Sequence, residues 1–188
     1  KTMEKDEKYK NLSLYFFGSK SIKKFNFSFG LRFEENLISL ENYFQSINEK
    51  TKKINSLNPS INLLYELGNL NLFTNFSTGY ETPTLNELSA NDDQSGFNDN
   101  LKTIKSKTFE LGISNYNIKK NFNYSVRFFN ISTINEITPY ESSSGLRLYR
   151  NAGKTTKKGV EMEINSKISN NLNLDYSLTI GSYKFDDF

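Results

Sequence analysis

The chain has 188 residues with 24 Lys and Arg against 21 Asp and Glu, a net charge of +3 that is too small to argue for a nucleic-acid partner. It contains no Cys, His or Trp, which removes disulfides, thiol nucleophiles, His-based metal sites and Ser-His-Asp chemistry together. Only 36% of residues are hydrophobic while 14% are aromatic, and no run approaches the ~20 apolar residues of a transmembrane helix; a membrane β-barrel stays open, because its strands need only alternate.

Lys1–Lys8 is charged and lacks the apolar stretch of a signal peptide. Alternation then marks strands in order. Tyr9–Phe17 sets Leu12, Leu14 and Phe16 on one face and is expected to turn at Gly18-Ser19-Lys20-Ser21. Ile22–Glu34 has the cleanest pattern: Phe25, Phe27, Phe29, Leu31 and Phe33 oppose Asn26, Ser28, Gly30, Arg32 and Glu34. A soluble sandwich buries such a stripe equally well. Residues 35–56 read as a long polar connection ending in the basic run Lys50–Lys53, with 37–44 either continuing the strand or forming one.

Leu57-Asn58-Pro59-Ser60 opens a third strand through Leu67, and Gly68-Asn69 is a two-residue hairpin turn. From Leu70 to Tyr80, Leu70, Leu72, Thr74, Phe76, Thr78 and Tyr80 share one face. A second long loop covers 81–105. Strand five runs from Lys107 to Asn117, and a turn at Lys119-Lys120-Asn121 leads to strand six, with Phe122, Tyr124, Val126 and Phe128 on its apolar face. A Ser/Gly-rich loop at 138–146, a seventh strand over Leu148–Ile168 with Gly interruptions and an eighth over Leu172–Ile180 complete the series.

Tight turns fall near 19, 68, 120 and 170, and long loops fill the gaps between them. Short turns at one end and long loops at the other describe an outer-membrane barrel better than a sandwich. A girdle is expected from Tyr65, Tyr116, Phe122 and Tyr124 at the short-turn end and from Tyr80, Tyr140 and Tyr183 at the other.

The string Gly79-Tyr80-Glu81-Thr82-Pro83-Thr84-Leu85-Asn86-Glu87-Leu88 resembles the strand-to-loop signature in the C-terminal half of TonB-dependent outer-membrane receptors. Gly30-Leu31-Arg32-Phe33, Asn58-Pro59, Phe109-Glu110-Leu111-Gly112, Asn151-Ala152-Gly153 and Gly159-Val160-Glu161 resemble further landmarks of that family, in order. One departure is Thr103-Ile104 after Asn100-Leu101-Lys102, where the family usually has Pro-Glu.

The resemblance implies an all-β fold, about eight antiparallel strands of a 22-stranded barrel in the outer membrane of a Gram-negative bacterium. Residues 1–188 are then a partial barrel, with plug, TonB box and closing strands expected outside the chain. It further implies a receptor rather than an enzyme, taking up a ferric siderophore or similar iron chelate with energy from the TonB–ExbB–ExbD complex, surrounded by outer-membrane lipid and using no cofactor. Two alternatives are a passive eight-stranded barrel with a structural or adhesive role and a soluble β-sandwich binding module.

Ligand contacts are expected from Tyr80, Glu81, Arg147, Tyr149 and Arg150, since aromatic and guanidinium groups suit anionic chelates; each is also readable as a packing residue. The structural signature comprises Asn58, Pro59, Gly79, Tyr80, Pro83, Leu85, Glu87, Leu88, Glu110, Gly112, Asn151, Gly153, Gly159 and Glu161. Glu161 and Glu163 share a face and read as solvated lumen carboxylates rather than an acid–base pair. The loop Asn91–Gly96 echoes a calcium loop, but its twelfth position is Lys102 rather than a bidentate Glu. No metal site is expected.

Overall fold

The structure is a computed structural model that describes residues 5–42, 47–90, 97–115 and 121–187. Period-two alternation produces long strands: β1 (Lys5–Ile22), β2 (Phe25–Asn42), β3 (Ile47–Leu67), β4 (Leu70–Glu81), β5 (Ile104–Ser114), β6 (Phe122–Ile134), β7 (Ile137–Glu141), β8 (Arg147–Asn151), β9 (Lys154–Ser169) and β10 (Leu172–Asp187). One short helix, α1 (Leu85–Ser89), lies between β4 and β5. Eight strands form one antiparallel sheet in the order β1-β2-β3-β4-β5-β6-β9-β10, and β7 with β8 makes a separate hairpin. Among the described residues the eight-stranded sheet is not closed, and the strands outside it form only the two-stranded β7–β8 sheet, too small to be the second layer of a sandwich.

Solvent exposure is inverted relative to a water-soluble sheet. Ile61, Leu111 and Val160 stand 52%, 53% and 44% exposed on central strands, while Glu34, Asn36, Thr133 and Thr155 on the opposite face are buried. The register keeps Phe76, Phe109, Leu111, Phe128 and Val160 on the exposed apolar side and Asn75, Glu110, Arg127 and Glu161 on the polar side. An apolar face this continuous, left uncovered along four neighbouring strands, is suited to a hydrocarbon solvent.

Several boundaries differ from the sequence expectation. The first turn sits at Lys23-Lys24, with Lys23 in the left-handed region, not at residues 18–21. Ser19↔Ser28 and Ser21↔Asn26 pair across the strands, so small polar groups facing inward imitate turn composition. Residues 35–56 are not a polar connection: β2 continues to Asn42, and β3 starts at Ile47 in register with it. Strand composition turns polar there because neither face any longer meets an apolar solvent.

The span 148–168 is two strands. β8 pairs with β7 instead of β6, and the ladder is interrupted without a change of direction at Ala152-Gly153, where the Ala152 amide donates to the Glu136 carbonyl (2.5 Å); the chain reverses at 142–146, where the Ser142 amide donates to the Leu146 carbonyl (2.8 Å). Residues 138–146 accordingly belong to a hairpin, and β10 runs past Ile180 to Asp187. The expected turn at 119–120, Tyr116 and the Asn91–Gly96 loop lie outside the described residues.

The girdle holds at one end only. Tyr65 lies tilted against Phe25 with ring centroids 4.7 Å apart, and Phe122 lies 5.9 Å from Tyr124 at the short-turn end. At the other end Tyr80 turns into a loop cluster, Tyr140 belongs to the β7–β8 hairpin and Tyr183 takes the polar side opposite Lys157. That end carries lysines on its apolar-side face instead.

Candidate functional site

The long-loop end is built on a buried cluster. Ile38 and Leu40 of β2 and Ile54 of β3 meet Leu88 of α1 with Phe97 and Leu101, and Tyr80, Leu85, Ile137 and Tyr149 pack around them. The signature string explains how the loop gets there. Thr84 caps α1 by accepting from the Glu87 amide, and the Glu87 carboxylate returns by accepting from the Thr84 amide (2.8 Å), a capping box. Pro83 and Leu88 are fully buried, so the one-turn helix pins the loop to the sheet.

A polar hub sits below this cluster. Asn36 has no exposed surface; its carbonyl accepts from Asn11 (2.7 Å) and from the Tyr9 hydroxyl, and its amide donates to the Tyr80 hydroxyl (2.6 Å). Tyr80 thereby leaves the apolar face that its position in the alternation assigns it. Burial pushes its phenol above the ordinary tyrosine value, and the hydrogen bond with Glu34 adds to this.

Pro59 opens the site. The β3–β4 ladder extends only from Leu67↔Leu70 to Ser60↔Ser77, stopping at the residue that has no N–H to donate. Above it β3 stays paired with β2 alone, and the two halves of the sheet part around a cleft of about 1300 Å³ bordered by Lys52, Asn58, Thr78, Tyr80, Asn100 and Lys102. Lys52 donates to the Asp99 carbonyl (2.7 Å); burial lowers its ammonium below the usual lysine value, with the Asp99 carboxylate pulling the other way.

Of the five residues expected to touch ligand, Tyr80 lines this cleft. Tyr149 joins it on the shared cluster, its carbonyl accepting from Asn98 (3.3 Å). Arg147 and Arg150 are exposed on the β7–β8 hairpin, over the rings of Tyr149 (6.0 Å) and Tyr140 (5.4 Å), and Glu81 is exposed at the end of β4. Asn36 and Lys52 were not singled out from the sequence: one looks like part of a polar connection, the other like part of a solvated basic run.

The remaining signature residues hold the framework. Asn151 clamps two loops, accepting from the Lys102 amide (2.7 Å) and donating to the carbonyls of Lys102 (2.9 Å) and Asn135 (2.7 Å), while the Gly153 carbonyl accepts from the Asn135 amide (3.1 Å). Asn58 donates to the Ser56 hydroxyl (3.0 Å), and a Cβ on Gly79 would stand 2.9 Å from the Ser106 hydroxyl. Asn151→Ala removes the clamp and is expected to cost the loops about 1–3 kcal/mol. Hydrogen exchange should show this as faster exchange of the Lys102 amide with β9 protection unchanged.

On the polar face a ladder crosses four strands. Asn75 donates to Glu110 (2.9 Å), whose other oxygen lies 3.8 Å from Arg127 Nε, and Arg127 donates from Nε to Glu161 (3.0 Å). Glu161 is therefore paired, not merely solvated.

This architecture has known counterparts. The family described as TonB dependent receptor-like, β-barrel matches the chain over residues 2–188. The chain belongs to this family. Among solved structures, the FrpB iron transporter from Neisseria meningitidis superposes with a TM-score of 0.72 at 16% identity, covering 99% of this chain and 27% of that one. The alcaligin outer-membrane receptor FauA from Bordetella pertussis gives 0.72 at 19% identity, with 97% and 31% covered. FpvA of P. aeruginosa, solved with heterologous pyoverdines and iron, gives 0.73 at 16%, with 97% and 24% covered. The chain thus spans about a quarter to a third of these receptors, and the likeness is one of fold.

Proposed function

We propose that this TonB-dependent receptor barrel segment is part of an outer-membrane receptor that takes up a ferric siderophore or a comparable anionic iron chelate. The observation that carries the reading is the cleft at the long-loop end of a lipid-suited sheet. Its border holds Lys52 and Lys102 beside the Tyr80 phenol, a set of donors and one aromatic face that suits a bulky anionic ligand. In this reading the energy source is the TonB–ExbB–ExbD complex. The family and the structures it resembles are receptors and transporters, and no enzymatic step is assigned.

The test is genetic. Deleting the gene for the parent protein should abolish radioiron uptake from one chelate in a siderophore panel under iron limitation, and deleting tonB should abolish the same uptake. Unchanged uptake from every iron chelate in the panel would remove iron from the proposal.

A further inference from the structure

The β3–β4 hairpin assigns each backbone group of β3 to one edge or the other. Its two-residue turn makes Leu67 and Leu70 a hydrogen-bonded pair, so the odd-numbered residues of β3 point their N–H and C=O at β4. The even-numbered ones serve β2, as the Glu66 amide does in donating to the Lys24 carbonyl (2.8 Å). Pro59 therefore lacks the N–H that the next rung, opposite Thr78, requires, and the Thr78 hydroxyl is buried without a partner. Beyond that rung Leu57, Asn55 and Lys53 keep the same orientation with no strand to bond. Among the described residues no backbone hydrogen bond reaches them from this side.

A row of unpaired donors and acceptors repeating about every 6.8 Å is a template for another extended chain. It borders the cleft of about 1300 Å³, with Thr78 and Tyr80 of β4 on the opposite rim. Charge narrows the occupant. The lining includes Lys52, Lys53, Lys102, Lys105, Lys107 and Lys154, against Asp99 as its one acid among the described residues. Lys53 pairs with Glu35 (2.8 Å), whereas among the described residues no ion pair engages Lys102, Lys105, Lys107 or Lys154. Lys105 and Lys107 stand across from Tyr80 and Thr78, one strand spacing of ~4.8 Å from the opening and within a lysine's reach of it. A second copy of this basic strand would be repelled. Phosphate groups would satisfy the ammonium groups but leave the backbone carbonyls without donors.

We propose that the open edge of β3 is a strand-addition site for an extended acidic segment of a partner protein. The segment's backbone bonds Leu57, Asn55 and Lys53, and carboxylates on its alternate residues meet Lys105 and Lys107. Those five side chains share the outer face of the sheet with Ile61 and Phe109, whereas Lys52 takes the inner face. The site is therefore independent of which chelate the receptor takes up.

The test uses the full-length receptor in phosphatidylcholine nanodiscs. The probe is a fluorescein-labelled peptide of alternating Glu and Val, with binding read by fluorescence anisotropy. The same peptide N-methylated at its Glu amides keeps its charge but loses the donors that face β3, and should bind on the order of tenfold more weakly. Asn55→Pro removes one N–H from the open edge and none from the ladder with β2, and should weaken binding about fivefold. Lys105→Gln/Lys107→Gln should weaken it too and flatten its salt dependence. Absence of binding by a receptor that keeps its heat-modifiable gel migration overturns the proposal. So does equal binding of the methylated peptide, which would reduce the attraction to charge alone, or undiminished binding by the Asn55→Pro receptor.

Discussion

Gly159→Val in the full-length receptor is expected to lower both the yield of folded barrel and its melting midpoint, more than any other single glycine substitution in this sheet except at Gly112. A Cβ at Gly159 would run into the Ile180 carbonyl, approach Gly181 Cα at 2.8 Å and meet the Phe129 ring at 2.8 Å. Two of these are backbone atoms, and Phe129 is buried, so none retreats cheaply. Overpacking of this kind costs about 1–3 kcal/mol, and more where backbone must shift. Gly112 repeats the arrangement: its Cβ would meet the Phe73 ring and stand 2.6 Å from the Val126 carbonyl. The pairs Phe73↔Gly112 and Phe129↔Gly159 each lay an inward aromatic over a glycine on the neighbouring strand. Gly30 is the comparison, because its Cβ would meet side-chain atoms of Ser60 and Tyr15 that can rotate away. If Gly30→Val destabilises as much as Gly159→Val, measured by the temperature of heat-modifiable migration, the backbone-clash account is wrong.

Leu88→Ala should act locally and strongly. The side chain is fully buried among Ile38, Leu40, Ile54, Phe97 and Leu101, and truncating such a leucine typically costs ~2–5 kcal/mol. That cost falls on one helical turn, while Asn98, Asp99 and Lys102 keep separate hydrogen bonds to Tyr149, Lys52 and Asn151, so the segment from Pro83 to Ala90 should detach while the sheet persists. Limited proteolysis of the intact receptor should then cut within that segment, and chelate affinity should fall with it. A variant whose cleavage pattern is unchanged, or whose barrel melts earlier as a whole, would show that the cluster does not hold the loop independently.

Both predictions concern residues of the family signature, and the two halves of that signature were unequally legible. Gly112 and Gly159 interrupt an alternating strand, which by itself marks a close backbone approach. Leu88 was marked by the family string alone, with no local period to show what it packs against. Its partners Ile38 and Ile54 lie some 35–50 residues away, and only the continuation of β2 and β3 beyond the apolar band brings them beneath α1. The expected ligand set divided the same way. Tyr80 and Tyr149 were brought to one cluster, whereas Arg147 and Arg150, on the same strand as Tyr149, stay exposed over tyrosine rings.

From residues alone came the all-β class, the eight sheet strands with shorter bounds, the tight turns at Gly68-Asn69 and Asn170-Asn171, and the apolar side of each strand. These follow from a two-residue period imposed by one apolar and one polar solvent, a constraint that acts on every strand separately and is written locally. The tertiary structure decided where the strands stop, that β3 parts from β4 at Pro59, that β7 and β8 leave the sheet, and that α1 closes over β2. Beyond the bilayer the two-solvent constraint disappears. Pairing and burial there depend on contacts between distant segments, and no local period records them.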